Sequence, residues 1–168
     1  MGNITEHFDE SEFKCPCCGQ VVINKPFIQR LEKLFDKMNA TCIIISSGYR
    51  CPKHSVAVGG YANDAHVMGF AADLAVYRGG KPYKATTVAY YAEQLGFGGI
   101  GIINDTYIHL DARDCNDYAN KKWYGNEVTG QTYDTFQDIT PESIGLDTKK
   151  HTLKIIFDDN VIFEKEMD

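Results

Sequence analysis

Three polar side chains lie at positions where packing alone would favour apolar residues: His66, Asp73 and His109. Two imidazoles and a carboxylate form a ligand set that holds a divalent transition metal, most often zinc, and leave a fourth position open to water. The pattern therefore predicts a metal site able to activate water. The alternative, on spacing alone, is a chance arrangement in which each histidine is only hydrogen-bonded within the fold.

The spacing of these residues constrains the backbone between them. Positions 66 and 73 would lie about 10 Å apart along a helix and on opposite faces of a straight strand. Because a zinc ligand atom must approach the ion to about 2 Å, the chain between His66 and Asp73 must turn back on itself. Gly69 makes such a turn possible. His109 would then arrive from a neighbouring hairpin.

The elements that must position these residues are readable in the first 80 residues. Apolar residues recur at helical spacing from Asn24 to Met38, with Asn24 as N-cap and Pro26 in the first turn. The apolar run from Thr41 to Ile45 predicts a strand buried on both faces, with Cys42 as a small core residue. Residues 47–70 are interpreted as an irregular loop, and a strand pattern resumes over Ala71–Tyr77.

Further along the chain, a second helix is predicted over 84–95, ended by Gly96. Two hairpins follow, the first with strands 100–103 and 107–111, the second with strands 153–157 and 161–164. Residues 114–150 are polar, and their aromatic residues would line a substrate groove or, in our preferred interpretation, form part of the core. The predicted fold class is α+β, a mainly antiparallel sheet with two packed helices. Residues 1–125 would form the main domain and 126–168 an extension, separate or part of the same domain.

Composition narrows the classes of function. The 168 residues include 17 Lys and Arg against 23 Asp and Glu, for a net charge of −6, and 43% are apolar. This acidic balance argues against a protein whose main task is gripping nucleic-acid phosphates. The longest apolar run is far too short for a membrane span, and the acidic N-terminus does not resemble a signal peptide. We therefore expect a protein made in the cytoplasm without a signal peptide and acting as a monomer.

The cysteines suggest a second site. Cys15 and Cys18 form a C-x-x-C pair, and Cys51 and His54 form a C-x-x-H pair. Two such pairs are a structural zinc pattern that would join the N-terminal segment to a distant loop. A disulfide such as Cys17–Cys51 would join the same segments in an oxidising compartment.

Four segments in order resemble one known family: GYR at 48–50, VGG at 58–60, AHVMGFAAD at 65–73 and IHLD at 108–111. They resemble the signature of the zinc D-alanyl-D-alanine carboxypeptidases, a family that includes phage L-alanyl-D-glutamate endopeptidases and is related in fold to the hedgehog signalling domain. Its hallmark is S-x-H-x-x-G-x-A-x-D followed by a distant H-x-D. The resemblance extends from about Phe8 to Arg113, some two thirds of the chain.

The resemblance implies specific roles for several residues. His66, Asp73 and His109 would hold zinc, and Arg50 would bind a substrate carboxylate or the oxyanion; the alternative for Arg50 is a structural cap of its loop. The implied substrate is a bacterial peptidoglycan stem peptide, cut next to a D-amino acid by zinc-activated water. The resemblance also implies action on the cell wall after release, as in phage lysis.

Asp111 follows His109 by two residues and lies on the same face of the predicted strand. It would accept the second N–H of an imidazole ligand and thereby fix its tautomer. The alternative is a surface ion pair with Arg113.

Two positions depart from the family pattern. The serine two residues before the first ligand is Asp64 here, which is either tolerated or an extra ligand. Family members usually carry a carboxylate three residues before the second histidine, where this chain has Thr106. Asp105 is the nearest carboxylate and the candidate general base, with a simple turn-forming role as the alternative. This departure keeps a second function open, a non-catalytic zinc-binding module that recognises cell-wall fragments or a protein partner.

Overall fold

The computed structural model describes residues 2–113 and 122–139, and the backbone of two further strands at 151–157 and 160–167. The first long helix, α1, covers Lys25–Lys37. Asn24 caps it as predicted, because its side-chain oxygen accepts a hydrogen bond from the N–H of Phe27 at 3.0 Å. The apolar face of α1 packs into the core through Phe27, Ile28, Leu31 and Leu34.

A six-stranded sheet forms the centre of the fold. Its main path runs β1-β2-β5-β4-β6, and the short β3 pairs with β2. All pairs are antiparallel except β4 with β6. The strands are β1 Cys42–Ser47, β2 Ala71–Arg78, β3 Lys81–Pro82, β4 Gly99–Ile102, β5 Ile108–Asp111 and β6 Trp123–Asn126. The predicted α+β class is confirmed.

The burial predicted for β1 is wrong. The strand lies at the edge of the sheet and has only one covered face: Ile43 is buried, whereas Cys42 and Ile44 are exposed. Cys42 is therefore not a core residue. A run of β-branched residues indicates a strand, but it does not show how many faces will be covered.

The loop predicted over 47–70 contains a short helix, α2, at Pro52–Ala57. It has only six residues, too few for an amphipathic period to stand out from the glycines that follow it. The second predicted helix is present as α3, Ala85–Gln94, and Gly96 ends it with a left-handed φ of 80°. The described residues thus contain three α-helices rather than two.

The C-terminal hairpin is present as β7, His151–Phe157, and β8, Asn160–Met167, which form a separate two-stranded sheet. Upstream of it, Tyr124 and Phe136 belong to the main core. For these two residues the structure agrees with the preferred interpretation, a role in the core rather than in a substrate groove. The boundary at residue 125 stays a prediction, and Cys115 lies outside the described residues. None of the described helices has the length and apolar character needed to cross a membrane.

Candidate metal centre

The two histidines and the aspartate predicted as ligands converge in one place. His66 Nε2 lies 3.2 Å from His109 Nδ1 and 3.3 Å from Asp73 Oδ1, and His109 Nδ1 lies 3.0 Å from Asp73 Oδ1. Tetrahedral coordination at 2.0–2.1 Å places neighbouring ligand atoms roughly 3.3 Å apart. The three atoms therefore form one face of a tetrahedron of the size that zinc requires.

Strand register brings two of the ligands together. Asp73 in β2 pairs directly with His109 in β5, so both side chains project from the same face of the sheet. His66 arrives from the loop before β2, which turns at Gly69 with a φ of 75°. A Cβ at Gly69 would lie 2.6 Å from the carbonyl oxygen of Val22, so the position excludes side chains. The predicted turn between His66 and Asp73 is confirmed.

Hydrogen bonds set the tautomer of each imidazole. His66 Nδ1 lies 2.8 Å from the carbonyl oxygen of Gly48, which can only accept a hydrogen bond. His109 Nε2 lies 3.2 Å from Asp111 Oδ2. Each of these nitrogens is thus a donor in the neutral ring, and the lone pairs of His66 Nε2 and His109 Nδ1 face the common centre.

The centre is buried, and its two carboxylates, those of Asp73 and Asp111, are ionised. His66 is 4% exposed, His109 8% and Asp111 0%. Burial alone would raise the pKa of Asp73, but the imidazoles of His109 and His66, when protonated, hold it well below its usual range. Burial also opposes a charge on His109, yet Asp111 and Asp73 raise the pKa of its imidazole to about 10. Two ionised carboxylates around the rings favour a bound cation.

Arg50 lies at the same site. Its Nη2 pairs with Asp73 Oδ2, and its Nε donates to Ser47 Oγ at 2.8 Å. Ser47 is the partner of Asp73 in the β1–β2 ladder, so the arginine is anchored by the strand next to the ligand. A guanidinium in this position carries a permanent positive charge beside the carboxylate of Asp73.

Asp111 makes both of the contacts weighed from the sequence. In addition to His109, it accepts hydrogen bonds from Arg113 Nε at 2.9 and 3.0 Å. The ion pair is not on the surface, since Asp111 is fully buried. Gly99 lies opposite Asp111 in the β4–β5 ladder, and a Cβ there would lie 2.0 Å from Asp111 Oδ2.

A cavity of about 800 Å³ opens onto the three ligands. Trp123 forms part of its wall, with the guanidinium of Arg113 5.7 Å from the ring centroid. Such a volume suits a small ligand or a short stretch of peptide. Of the aromatic residues predicted to lie in either a groove or the core, Trp123 lines the cavity, whereas Phe136 is buried in the core.

The structure does not bring Asp105 to this cavity. It is exposed in the turn between β4 and β5, and its carbonyl oxygen accepts a hydrogen bond from the N–H of Ala85 at 2.7 Å. Asn104 is the residue that shapes the turn, because its side chain accepts from the N–H groups of Thr106 and Tyr107. The turn is thus held toward the start of α3.

Glu127 lines the cavity, and the sequence analysis did not identify it as a candidate functional residue. The parallel pairing of β6 with β4 places it there, and its N–H donates to the carbonyl oxygen of Ile102 at 2.8 Å. Its Oε1 would lie 2.8 Å from a Cβ at Gly101, the residue paired with His109. Partial burial is the main cause that raises the pKa of Glu127. The only sequence signal was the pair of glycines, Gly101 and Gly125, which leave room on this face.

Asp64 is a loop residue rather than a further ligand. Its carboxylate accepts hydrogen bonds from Ser55 Oγ and from the N–H groups of Tyr61 and Val67. These contacts hold α2 to the loop that carries His66. Asp64, which occupies the position of the family serine, thus stabilises the loop through these hydrogen bonds.

The cysteine pairs are brought together in part. Ligand atoms of Cys15, Cys18 and Cys51 all lie within 4.8 Å of one another, whereas His54 is not a member of this group. The described cysteines, including Cys17, are free thiols rather than disulfides.

A buried His-Asp-His face that opens onto a cavity, built on an antiparallel sheet, defines the site of a mononuclear metallohydrolase. The sequence model of a family described as peptidase M15 matches residues 6–111, more than half of the chain, and the protein belongs to this family of zinc-dependent metallopeptidases. The resemblance stated from the motifs is thereby confirmed. No curated protein matched the chain.

Proposed function

We propose that this protein hydrolyses a peptide bond of bacterial peptidoglycan stem peptides, next to a D-amino acid. The observation that carries the proposal is the triangle of His66 Nε2, Asp73 Oδ1 and His109 Nδ1, with edges of 3.0–3.3 Å. The donor set and the fixed tautomers fit zinc. A zinc ion held there would supply a water nucleophile with a pKa near 7 and would polarise the substrate carbonyl.

Arg50 would bind negative charge on the substrate side. It lies on the cavity wall beside Asp73, and a guanidinium can hold a carboxylate or the oxyanion of a tetrahedral intermediate. Stem peptides carry free carboxylates, which matches this cation. Ser47 keeps the guanidinium oriented through its contact with Nε.

We propose Glu127, in place of Asp105, as the general base. Its carboxylate faces the cavity over Gly101, one strand away from His109, whereas Asp105 is exposed on the turn held toward α3. Glu127 would accept a proton from the attacking water and return it to the leaving amine nitrogen. A carboxylate that performs both transfers completes hydrolysis without any further residue.

The test is turnover on defined substrates. The purified protein would be incubated with a stem-peptide muropeptide and, separately, with free D-Ala-D-Ala, and the products separated by mass spectrometry. Release of terminal D-alanine would indicate a carboxypeptidase, and a split within the stem an endopeptidase. His66→Ala should lose all turnover, and cleavage that persists in this variant would overturn the proposal.

The second function, a non-catalytic module that binds wall fragments, rested on the absence of a carboxylate at position 106. Glu127 brings a carboxylate to the cavity from another part of the sheet, so the argument for a non-catalytic module is weaker. Binding of the muropeptide without any cleavage product would favour the module. Action on the wall after release from a cell is part of our proposal and follows from the substrate.

A further inference from the structure

A second group of metal-ligating side chains lies apart from the His-Asp-His centre. The sulfur atoms of Cys15, Cys18 and Cys51 all lie within 4.8 Å of one another, and each is a free thiol. Cys15 is buried, Cys51 is half-buried and Cys18 is exposed, so the group lies at the surface end of a packed loop. The proposed hydrolysis uses none of them.

The backbone around Cys15 is shaped like a metal-binding turn. The chain reverses over Cys15–Gly19, where the N–H of Gly19 donates to the carbonyl oxygen of Cys15 at 2.8 Å and Gly19 has a φ of 70°. The backbone N–H of Cys51 donates a hydrogen bond to Cys15 Sγ at 3.3 Å. Such a donor stabilises a negative thiolate, which is the form that binds metal.

We propose that Cys15, Cys18 and Cys51 bind a second zinc ion, one with a structural role. Three converging thiolates form a soft ligand set that selects zinc over magnesium or calcium. Neither Cys17 nor His54 belongs to this group, so the three thiolates are the ligands that the described residues bring together. This set replaces the one predicted from the sequence, in which His54 was the fourth ligand.

The position of the cluster gives the ion its role. The N–H of Tyr49 donates to the carbonyl oxygen of Phe13 at 2.9 Å, and a Cβ at Gly48 would lie 2.5 Å from Phe13 Cα. The N-terminal segment therefore lies directly against the loop that contains Gly48, whose carbonyl oxygen contacts Nδ1 of His66. An ion shared by Cys15 and Cys51 would lock this contact one residue after Arg50.

Metal content tests the proposal independently of catalysis. We expect two zinc ions per chain in the full protein purified under reducing conditions, measured by elemental analysis. Cys18→Ser and Cys51→Ser should each retain one, as should His66→Ala. Cys42→Ser is the matched control, since Cys42 is an exposed thiol outside the cluster, and it should retain two.

Cobalt substitution gives a readout that does not require the cysteine variants to fold. In the otherwise intact His66→Ala protein, cobalt should show the near-ultraviolet charge-transfer absorption of thiolate ligands. Absence of that absorption would overturn the proposal, as would a zinc content unchanged by Cys18→Ser or a disulfide found at Cys51. A single zinc that survives His66→Ala and is lost in Cys18→Ser would support this site and contradict the proposed function instead.

Discussion

The orientation of the two candidate ligand histidines depends on two neighbouring oxygen atoms. The carbonyl of Gly48 and the carboxylate of Asp111 each hold one ring nitrogen of a ligand histidine. Without them, a neutral imidazole could present N–H instead of a lone pair to the ion. The positions of these acceptors therefore decide whether three correctly placed residues can bind at all.

Asp111→Asn tests this arrangement. The amide preserves shape but loses the charge that receives the N–H of His109, so we expect zinc affinity at the His-Asp-His centre to fall about 10–100-fold. Competition with a chromogenic chelator measures the affinity. Asp105→Asn is the control and should bind zinc like the unmodified protein. Equal affinity in Asp111→Asn would show that the contact does not orient His109.

Glu127→Gln tests the general base. We expect turnover to fall by about 10²–10⁴-fold with zinc content unchanged, because glutamine can hydrogen-bond but cannot accept the proton. Steady-state kinetics and elemental analysis measure the two effects on the same sample. The reverse result, full activity in Glu127→Gln and loss in Asp105→Asn, would return the role to the turn residue.

At the scale of elements, strands β4 and β5 fit together because two of the four residues of β4 are glycines, which have no side chain. Gly99 leaves the space that Asp111 fills, and Gly101 leaves the space beside Trp123 and Glu127. Two glycines in a four-residue strand weaken it as a strand, since they add no packing surface. Here they leave room for the carboxylates of Asp111 and Glu127.

Gly99→Ala should therefore disturb the metal centre. The new methyl group would collide with Asp111, which cannot move away easily because Arg113 and His109 hold it. We expect a loss of about 1–3 kcal/mol in stability together with weaker zinc binding. Gly79→Ala serves as the control: it strains a left-handed turn with a φ of 56° in open space, so it should lower stability without changing zinc affinity.

Helix α1 holds the N-terminal segment through a second contact. Glu32 accepts hydrogen bonds from the backbone N–H of His7 at 2.9 Å and from its ring at 2.7 Å, and the ring stacks on Phe35 at 3.8 Å. Partial burial would raise the pKa of Glu32, but the side chain of Thr5 and these contacts with His7 lower it below its ordinary value. A carboxyl with a lowered pKa stabilises the fold above its unfolded pKa of about 4.3 and loses that contribution as the pH falls.

Glu32→Gln should therefore cost about 0.5–1 kcal/mol at neutral pH, a modest value because the contact is partly exposed. Thermal unfolding from pH 7 to pH 3 measures it, and the difference from the unmodified protein should shrink below about pH 4. Glu6→Gln, at an exposed position in the same segment, should show no such difference. If the stability difference between Glu32→Gln and the unmodified protein stays constant from pH 7 to pH 3, the charge of Glu32 does not supply the stabilisation.

For the whole molecule, a strong chelator should abolish turnover, and added zinc should restore it. The site places two imidazoles and one carboxylate around one point, and we propose no alternative nucleophile for the reaction. Activity on muropeptide is the measurement, with elemental analysis confirming removal of the metal. Full hydrolysis by a metal-free preparation would contradict the proposed mechanism.

Local patterns predicted much of the fold. Helices α1 and α3, strand β2 and the β4–β5 hairpin all match their predicted positions closely, because each carries its own period, cap or turn residues. The edge position of β1 and the six-residue α2 were not predicted, since neither depends on local periodicity. Asp105 was favoured as base only because it is near His109 in the chain.

By itself, the sequence predicted the three candidate ligands that the structure brings together, since His66, Asp73 and His109 stand in motifs with a turn between them. The proton acceptor that we propose was suggested by the tertiary structure alone. Glu127 reaches the cavity through a parallel pairing between β4 and β6, whose paired residues lie 24 positions apart, and such pairings leave no periodic trace in the chain. The tertiary structure also decided the cysteine cluster, because a contact between residues 15 and 51 depends on how the N-terminal segment packs, not on the spacing of either pair.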